Sequence, residues 1–86
     1  MYKDRWSRAA AKFYSGLDAP TKARVDAAVA EICADPVSAP GVKALSGPLK
    51  GKRRKRIGDL RLIYTHNRSE MILYVLVLDR RDDVYR

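Results

Sequence analysis

The sequence predicts an α+β fold of order β-α-α-β-β-β: an antiparallel twisted sheet with an N-terminal two-helix hairpin packed on one face. Three observations carry that expectation. Two apolar stripes at helical spacing lie in the first two-fifths of the chain. Three strand-like runs joined by short turns fill residues 52–78. A length of 86 residues leaves room for one domain, residues 1–86, with a lean core.

The elements follow in chain order. Residues 2–6 are short and mixed in character and read as a first strand. Ser7 offers a helix N-cap, and Ala10, Phe13, Tyr14 and Leu17 recur at i, i+3, i+4, i+7. Gly16 suits the end of that helix. Asp18 caps a second helix that tolerates Pro20 in its first turn and carries the stripe Val25, Ala28, Val29, Ile32 and Cys33. Pro36 stops it. So short a connection makes the two helices an antiparallel hairpin. Residues 37–51, rich in proline and glycine, read as connection and strand entry, with Leu45 and Leu49 as core contacts. Residues 52–57 read as a strand charged on both faces, Gly58-Asp59 as a bend, residues 60–66 as a strand, 67–70 as a hairpin turn, and 71–78 as an apolar strand central in the sheet. The helices cover one face, and the other is left for function.

Composition narrows that function. Eighteen Lys and Arg against ten Asp and Glu give a net charge of +8. Six of the positives, Lys50, Lys52, Arg53, Arg54, Lys55 and Arg56, lie within seven positions; the remaining 12 basic and 10 acidic residues leave +2. Such a block repels itself and needs a polyanion or solvent around it. Because it runs straight into a predicted strand, it belongs to the folded domain, and nucleic acid is the leading partner. One cysteine excludes a disulfide framework and a cysteine-based zinc cluster and fits a reducing compartment. Neither a membrane-length apolar run nor a secretory h-region is visible, so the expected location is cytoplasmic.

Residues 41–47 (GVKALSG), 56–64 (RIGDLRLIY) and 79–85 (DRRDDVY) together resemble the RelE/ParE toxin superfamily. The match spans nearly the whole chain. The resemblance implies the RelE-like microbial RNase fold and a toxin of a type II toxin–antitoxin system, held inactive by a cognate RelB-like antitoxin. RelE-type members cleave messenger RNA in the ribosomal A site, whereas ParE-type members poison DNA gyrase. Carried over residue by residue, the RelE-type active site falls on Arg54, Arg56, Arg61, Arg80 and Tyr85. The basic-plus-tyrosine ending favours the RelE branch. The implied partners are the antitoxin and the ribosome with its mRNA and rRNA, with operator DNA reached only through the antitoxin complex.

The implied chemistry is attack of the RNA 2′-hydroxyl on the adjacent phosphate, which leaves a 2′,3′-cyclic phosphate and a 5′-hydroxyl. It needs a base, cations for the phosphorane and a donor for the leaving oxygen, but no metal or cofactor. Arg54 and Arg56, at i and i+2 of a strand, project from one face; Arg61 and Arg80 suit phosphate clamping. Arginine is a poor proton acceptor, and some RelE relatives carry lysines where this chain has Arg54 and Arg56. Tyr85 among cations is the first candidate base, with Lys52 and Lys55 as substitutes. Lys50, Lys52, Arg53, Lys55 and Arg81 are expected to contact RNA or ribosome. Many RelE-like toxins have a histidine at the position of Asp79.

The remaining residues take structural readings. His66 is expected at a surface turn, Cys33, Trp6 and Phe13 in the core, Tyr64 and Tyr74 in strand packing, and Asp59 in the turn. Asp79, Asp82 and Asp83 read as ion-pair partners of neighbouring arginines rather than metal ligands. Two alternatives to the ribonuclease stay open: a ParE-like gyrase inhibitor and a basic RNA-binding module that does not cleave.

Overall fold

The structure, a computed structural model, describes residues 1–80. Its elements are β1 (Lys3–Trp6), α1 (Arg8–Ser15), α2 (Ala19–Ala34), β2 (Val42–Ala44), a 3₁₀ turn (Gly47–Leu49), β3 (Arg53–Ile57), β4 (Leu60–Asn67) and β5 (Ile72–Asp79). One sheet of order β1-β5-β4-β3-β2 unites the strands. β1 runs parallel to β5, and all other pairings are antiparallel.

The caps form as the sequence predicts. Ser7 Oγ accepts the Ala10 N–H at 3.1 Å to open α1, and Asp18 Oδ1 accepts the Thr21 N–H at 3.0 Å to open α2. The Thr21 side chain, and then that backbone bond, hold the Asp18 carboxyl below its ordinary range. The stripe Val25, Ala28, Val29, Ile32 and Cys33 is buried as expected, against Leu60, Leu62, Tyr64, Leu73, Val75 and Leu78 from the sheet. Burial pushes the Cys33 thiol up, in keeping with a core role.

Two features of residues 37–51 depart from expectation. A short edge strand, β2, pairs Val42, Lys43 and Ala44 with Lys55, Arg54 and Arg53, giving five strands instead of four. Three residues between prolines and glycines are too few to show a period. Leu49 is exposed and Leu45 only half-buried; Ala39 and Val42 supply the core contacts of this segment instead. The Tyr64 hydroxyl, buried in the core, donates to the Pro36 carbonyl and ties this loop to the sheet; burial pushes the phenol up to about 12.

β3 and β4 meet in the two-residue turn Gly58-Asp59, where Gly58 takes φ +60°, a left-handed value that suits glycine. Odd-numbered residues of β3 and even-numbered residues of β4 turn towards the helices. Lys55, paired with Leu62, therefore enters the helix side and is only 6% exposed. There its ammonium meets Glu31 at 2.9 Å and donates to the Pro40 carbonyl.

β5 contains the irregularity on which the other face depends. Tyr64 pairs with Val75 but Ile63 with Val77, so Leu76 is an extra residue, a β-bulge. Up to Val75, odd positions face the helices; beyond the bulge the phase reverses, so Leu78 enters the core and Asp79 turns outward. Ser7 anchors the bulge. Its hydroxyl donates to the Leu76 carbonyl at 2.8 Å, and its N–H donates to the Val75 carbonyl.

Two stability tests follow. Ser7→Ala removes both the α1 cap and the bond to the bulge, and should cost about 1–2 kcal/mol in urea denaturation. Glu31→Gln should cost about 1–2 kcal/mol, less than the roughly 3–5 of a fully buried pair, because Glu31 is half-exposed while Lys55 is not. A Lys55→Met, Glu31→Gln double variant should recover part of that loss.

Candidate active site on the open sheet face

On the face away from the helices, the register aligns charges in a row across three strands. Arg56 on β3 lies directly opposite Arg61 on β4, and Arg61 directly opposite Asp79 on β5. Directly opposed side chains start about 4.5–5.5 Å apart at Cβ, so the two arginines repel. Asp79 supplies the counter-charge: Arg61 Nε donates to Oδ1 and Nη2 to Oδ2, each at 3.1 Å. This two-pronged geometry holds the guanidinium plane fixed, and the Arg61 side chain is 13% exposed.

The next row is Arg54, Ile63 and Val77. Ile63 is 4% exposed although it lies outside the helix-side core. Beside it, Arg54 Nε is buried without a hydrogen-bond partner among the described residues. A buried charged donor left unsatisfied is costly, and its natural complement is an anionic oxygen.

The structure thus brings together Arg54, Arg56 and Arg61, three of the five residues carried over from the resemblance. Arg80 is not with them. One position past Asp79, it turns to the helix side, where its guanidinium lies 5.8 Å from the centre of the Phe13 ring and 3.6 Å from Asp59. It borders an apolar groove of α1 lined by Ala9, Lys12, Phe13, Gly16 and Leu17. The bulge at Leu76 explains the separation, because strand alternation sends neighbours to opposite faces. Tyr85 and Arg81 lie outside the described residues.

The basic run divides in the same way. Lys55, expected to contact RNA or act as a substitute base, is instead the buried partner of Glu31. Arg53 shares that helix-side face, half-buried opposite Tyr64. Lys50 is exposed and Lys52 half-buried, both just before β3. The signal for this division was the apolar Ile57, which fixes odd positions of β3 as inward. Asp79 had no such signal, since the run from Met71 to Leu78 shows no alternation to reveal the bulge.

His66 is not a surface turn residue. It lies half-buried within β4, with its ring edge-on to Tyr2 at 5.4 Å between centroids. Burial, aided by Arg53 and Arg68, holds its imidazole below the ordinary value of 6.5. Tyr74, as expected, is a strand residue, with its hydroxyl on Glu70; that bond pushes its phenol up. Among the described residues, no group of three His, Cys, Asp or Glu side chains is placed to hold a metal ion, and no helix is long and apolar enough to cross a membrane.

With this geometry in place, comparison with known proteins becomes specific. Residues 5–85 match the family model of the ParE toxin of type II toxin–antitoxin systems. The chain belongs to this family. A search of curated proteins finds no significant match. Among solved structures, the toxin is similar to a YoeB/ParE toxin from Agrobacterium tumefaciens, with a TM-score of 0.83 and 20% identity over 92% of this chain and 98% of that one. It is also similar to a chain of the archaeal RelE–RelB complex from Pyrococcus horikoshii, with a TM-score of 0.79 and 24% identity over 94% and 96%. A chain of the YoeB–YefM complex from Staphylococcus aureus gives a TM-score of 0.79 and 16% identity over 94% and 98%. At these identities the likeness is one of fold: a sheet with a helix hairpin.

The His66 shift has a pH consequence. Its folded value lies below its unfolded one, so the unfolded chain takes up the proton first. The associated stability is complete above about pH 6.5 and is lost as pH falls through the folded value. Between about pH 7 and pH 5, the melting temperature of the wild-type toxin should fall more than that of His66→Gln, as followed by circular dichroism.

Proposed function

We propose that this toxin is a ribosome-dependent endoribonuclease that cleaves messenger RNA in the A site by attack of the 2′-hydroxyl on its own phosphate. The observation that carries the proposal is the buried, unpartnered Nε of Arg54 on the same sheet face as Arg56 and Arg61. A phosphodiester oxygen is the natural complement of the Arg54 guanidinium, and Arg56, two residues along β3, and Arg61 opposite it stand in the next row to take the charge that builds on the phosphorane. Arg54, Arg56 and Arg61 are its phosphate-holding residues. Exposed Lys50 extends the basic surface towards ribosomal RNA. Tyr85, outside the described residues, is kept as a site residue on the resemblance alone. Arg80, on the α1 side, is reassigned to the edge of the helix groove.

The proposed partner is a cognate antitoxin, as the RelE–RelB and YoeB–YefM pairings of proteins with this fold favour. An acidic antitoxin segment suits the arginine-lined face. The family model itself favours a second reading, a ParE-type toxin that binds DNA gyrase and performs no hydrolysis.

Purified toxin added to ribosomes programmed with a defined message separates the readings. Codon-positioned cuts with 2′,3′-cyclic phosphate ends, and little cutting of naked RNA, are expected. Arg54→Ala and Arg56→Ala should each slow single-turnover cleavage by about 10²–10³-fold, the scale of losing one oxyanion donor. Uncut message together with failed gyrase supercoiling gives the assignment to the ParE reading; ribosome binding without cutting gives it to a non-cleaving RNA binder.

A further inference from the structure

The ribonuclease reading leaves one chemical requirement without an occupant among the residues described on the arginine face. Something must take the proton from the attacking 2′-hydroxyl, and arginine does not do so near neutrality. His66, the one histidine, is on β4 among helix-side neighbours, edge-on to Tyr2. Lys55 is held on the opposite face by Glu31 and the Pro40 carbonyl.

We propose that Asp79 is the general base, a role that rests on the ribonuclease reading above. Three observations converge on this carboxylate. The bulge at Leu76 rotates it onto the arginine face while Leu78 stays in the core. Arg61 orients both of its oxygens from one side, at 3.1 Å each. Its side chain nevertheless keeps 31% exposure, so it is open to an incoming hydroxyl as well as anchored. Each carboxylate oxygen has a second lone pair beyond the one that accepts from Arg61.

In the reaction, the Asp79 carboxylate takes the 2′-hydroxyl proton as the 2′-oxygen bonds to phosphorus. The bond from phosphorus to the 5′-oxygen breaks, and that oxygen leaves with a proton from solvent. The products are a 2′,3′-cyclic phosphate and a 5′-hydroxyl, with Asp79 returned to its ionised form by loss of the proton to water. The pair with Arg61 positions the base on the arginine face.

The test is single-turnover cleavage on programmed ribosomes by wild type, Asp79→Asn, Asp79→Glu and Tyr85→Phe, with ribosome binding and thermal melting measured in parallel. Asparagine still offers Arg61 one carbonyl acceptor but cannot take the proton. Asp79→Asn is therefore expected to slow cleavage by about 10²–10⁴-fold with ribosome binding and cut sites unchanged, while Asp79→Glu keeps more activity than Asp79→Asn. Asp79→Asn within about threefold of wild type, well short of the loss of a general base, overturns the proposal and leaves Asp79 only as the holder of Arg61. A full loss in Tyr85→Phe with Asp79→Asn still active transfers the proton to the tyrosine. Faster cleavage by Asp79→Asn identifies the carboxylate as a mask on Arg61. Uncut message in the wild-type lane overturns the ribonuclease reading itself, and the base assignment with it.

Discussion

Leu76 of β5 has no cross-strand partner in β4, and the way the fold accommodates it decides which side chains reach the face away from the helices. A strand with period two would have sent Val77 and Asp79 towards the helices and exposed Leu78. The bulge exchanges them. Its anchor is Ser7, whose single hydroxyl accepts the N–H that starts α1 and donates to the Leu76 carbonyl. One side chain therefore couples the entry of the first helix, the edge pairing of β1 with β5, and the phase of the strand that carries Asp79. The candidate site is a consequence of that junction more than of any local motif.

The electrostatics follow from the same register. Arg56 and Arg61 face each other across neighbouring strands, an arrangement that costs free energy unless a counter-charge completes the row. Asp79 completes it in the free toxin. The buried Nε of Arg54 has no hydrogen-bond partner among the described residues. On the reverse side, a single ion pair between Lys55 and Glu31 accommodates one member of the basic run inside the helix layer. The strand is thus divided by alternation into a structural set and a candidate functional set. An Arg-Lys exchange between the two sets would not be conservative, because Lys55 presents a point charge in a confined space and the arginines present planar forks.

Much of the architecture was legible beforehand. Ser7, Gly16, Asp18 and Pro36 delimit the helices where expected, since capping depends on neighbours in sequence. The helix-side core was readable from the α2 stripe. Strand β2 was not, because three residues show no period and owe their pairing to Lys55, Arg54 and Arg53 across the sheet. Arg54 and Arg56 share a sheet face with Arg61, and the shared face of the first two was readable from their i, i+2 spacing. The place of Arg80 was misjudged because sequence adjacency to Asp79 means opposite faces in a strand.

By itself, the sequence determined the order of elements, the helix limits, the concentration of positive charge ahead of the Gly58-Asp59 turn, and membership of a toxin superfamily. These rest on interactions between residues a few positions apart and on motifs that survive without coordinates. Only the tertiary structure decided which of six clustered cations face solvent, that Arg80 stacks on Phe13, and that Asp79 stands against Arg61. Each of these depends on strand register, and register is set by contacts far apart in the chain, such as Ser7 on Leu76. The charge of +8 was visible at once; its division between a buried Lys55 and an arginine row on the opposite face was a property of the folded sheet.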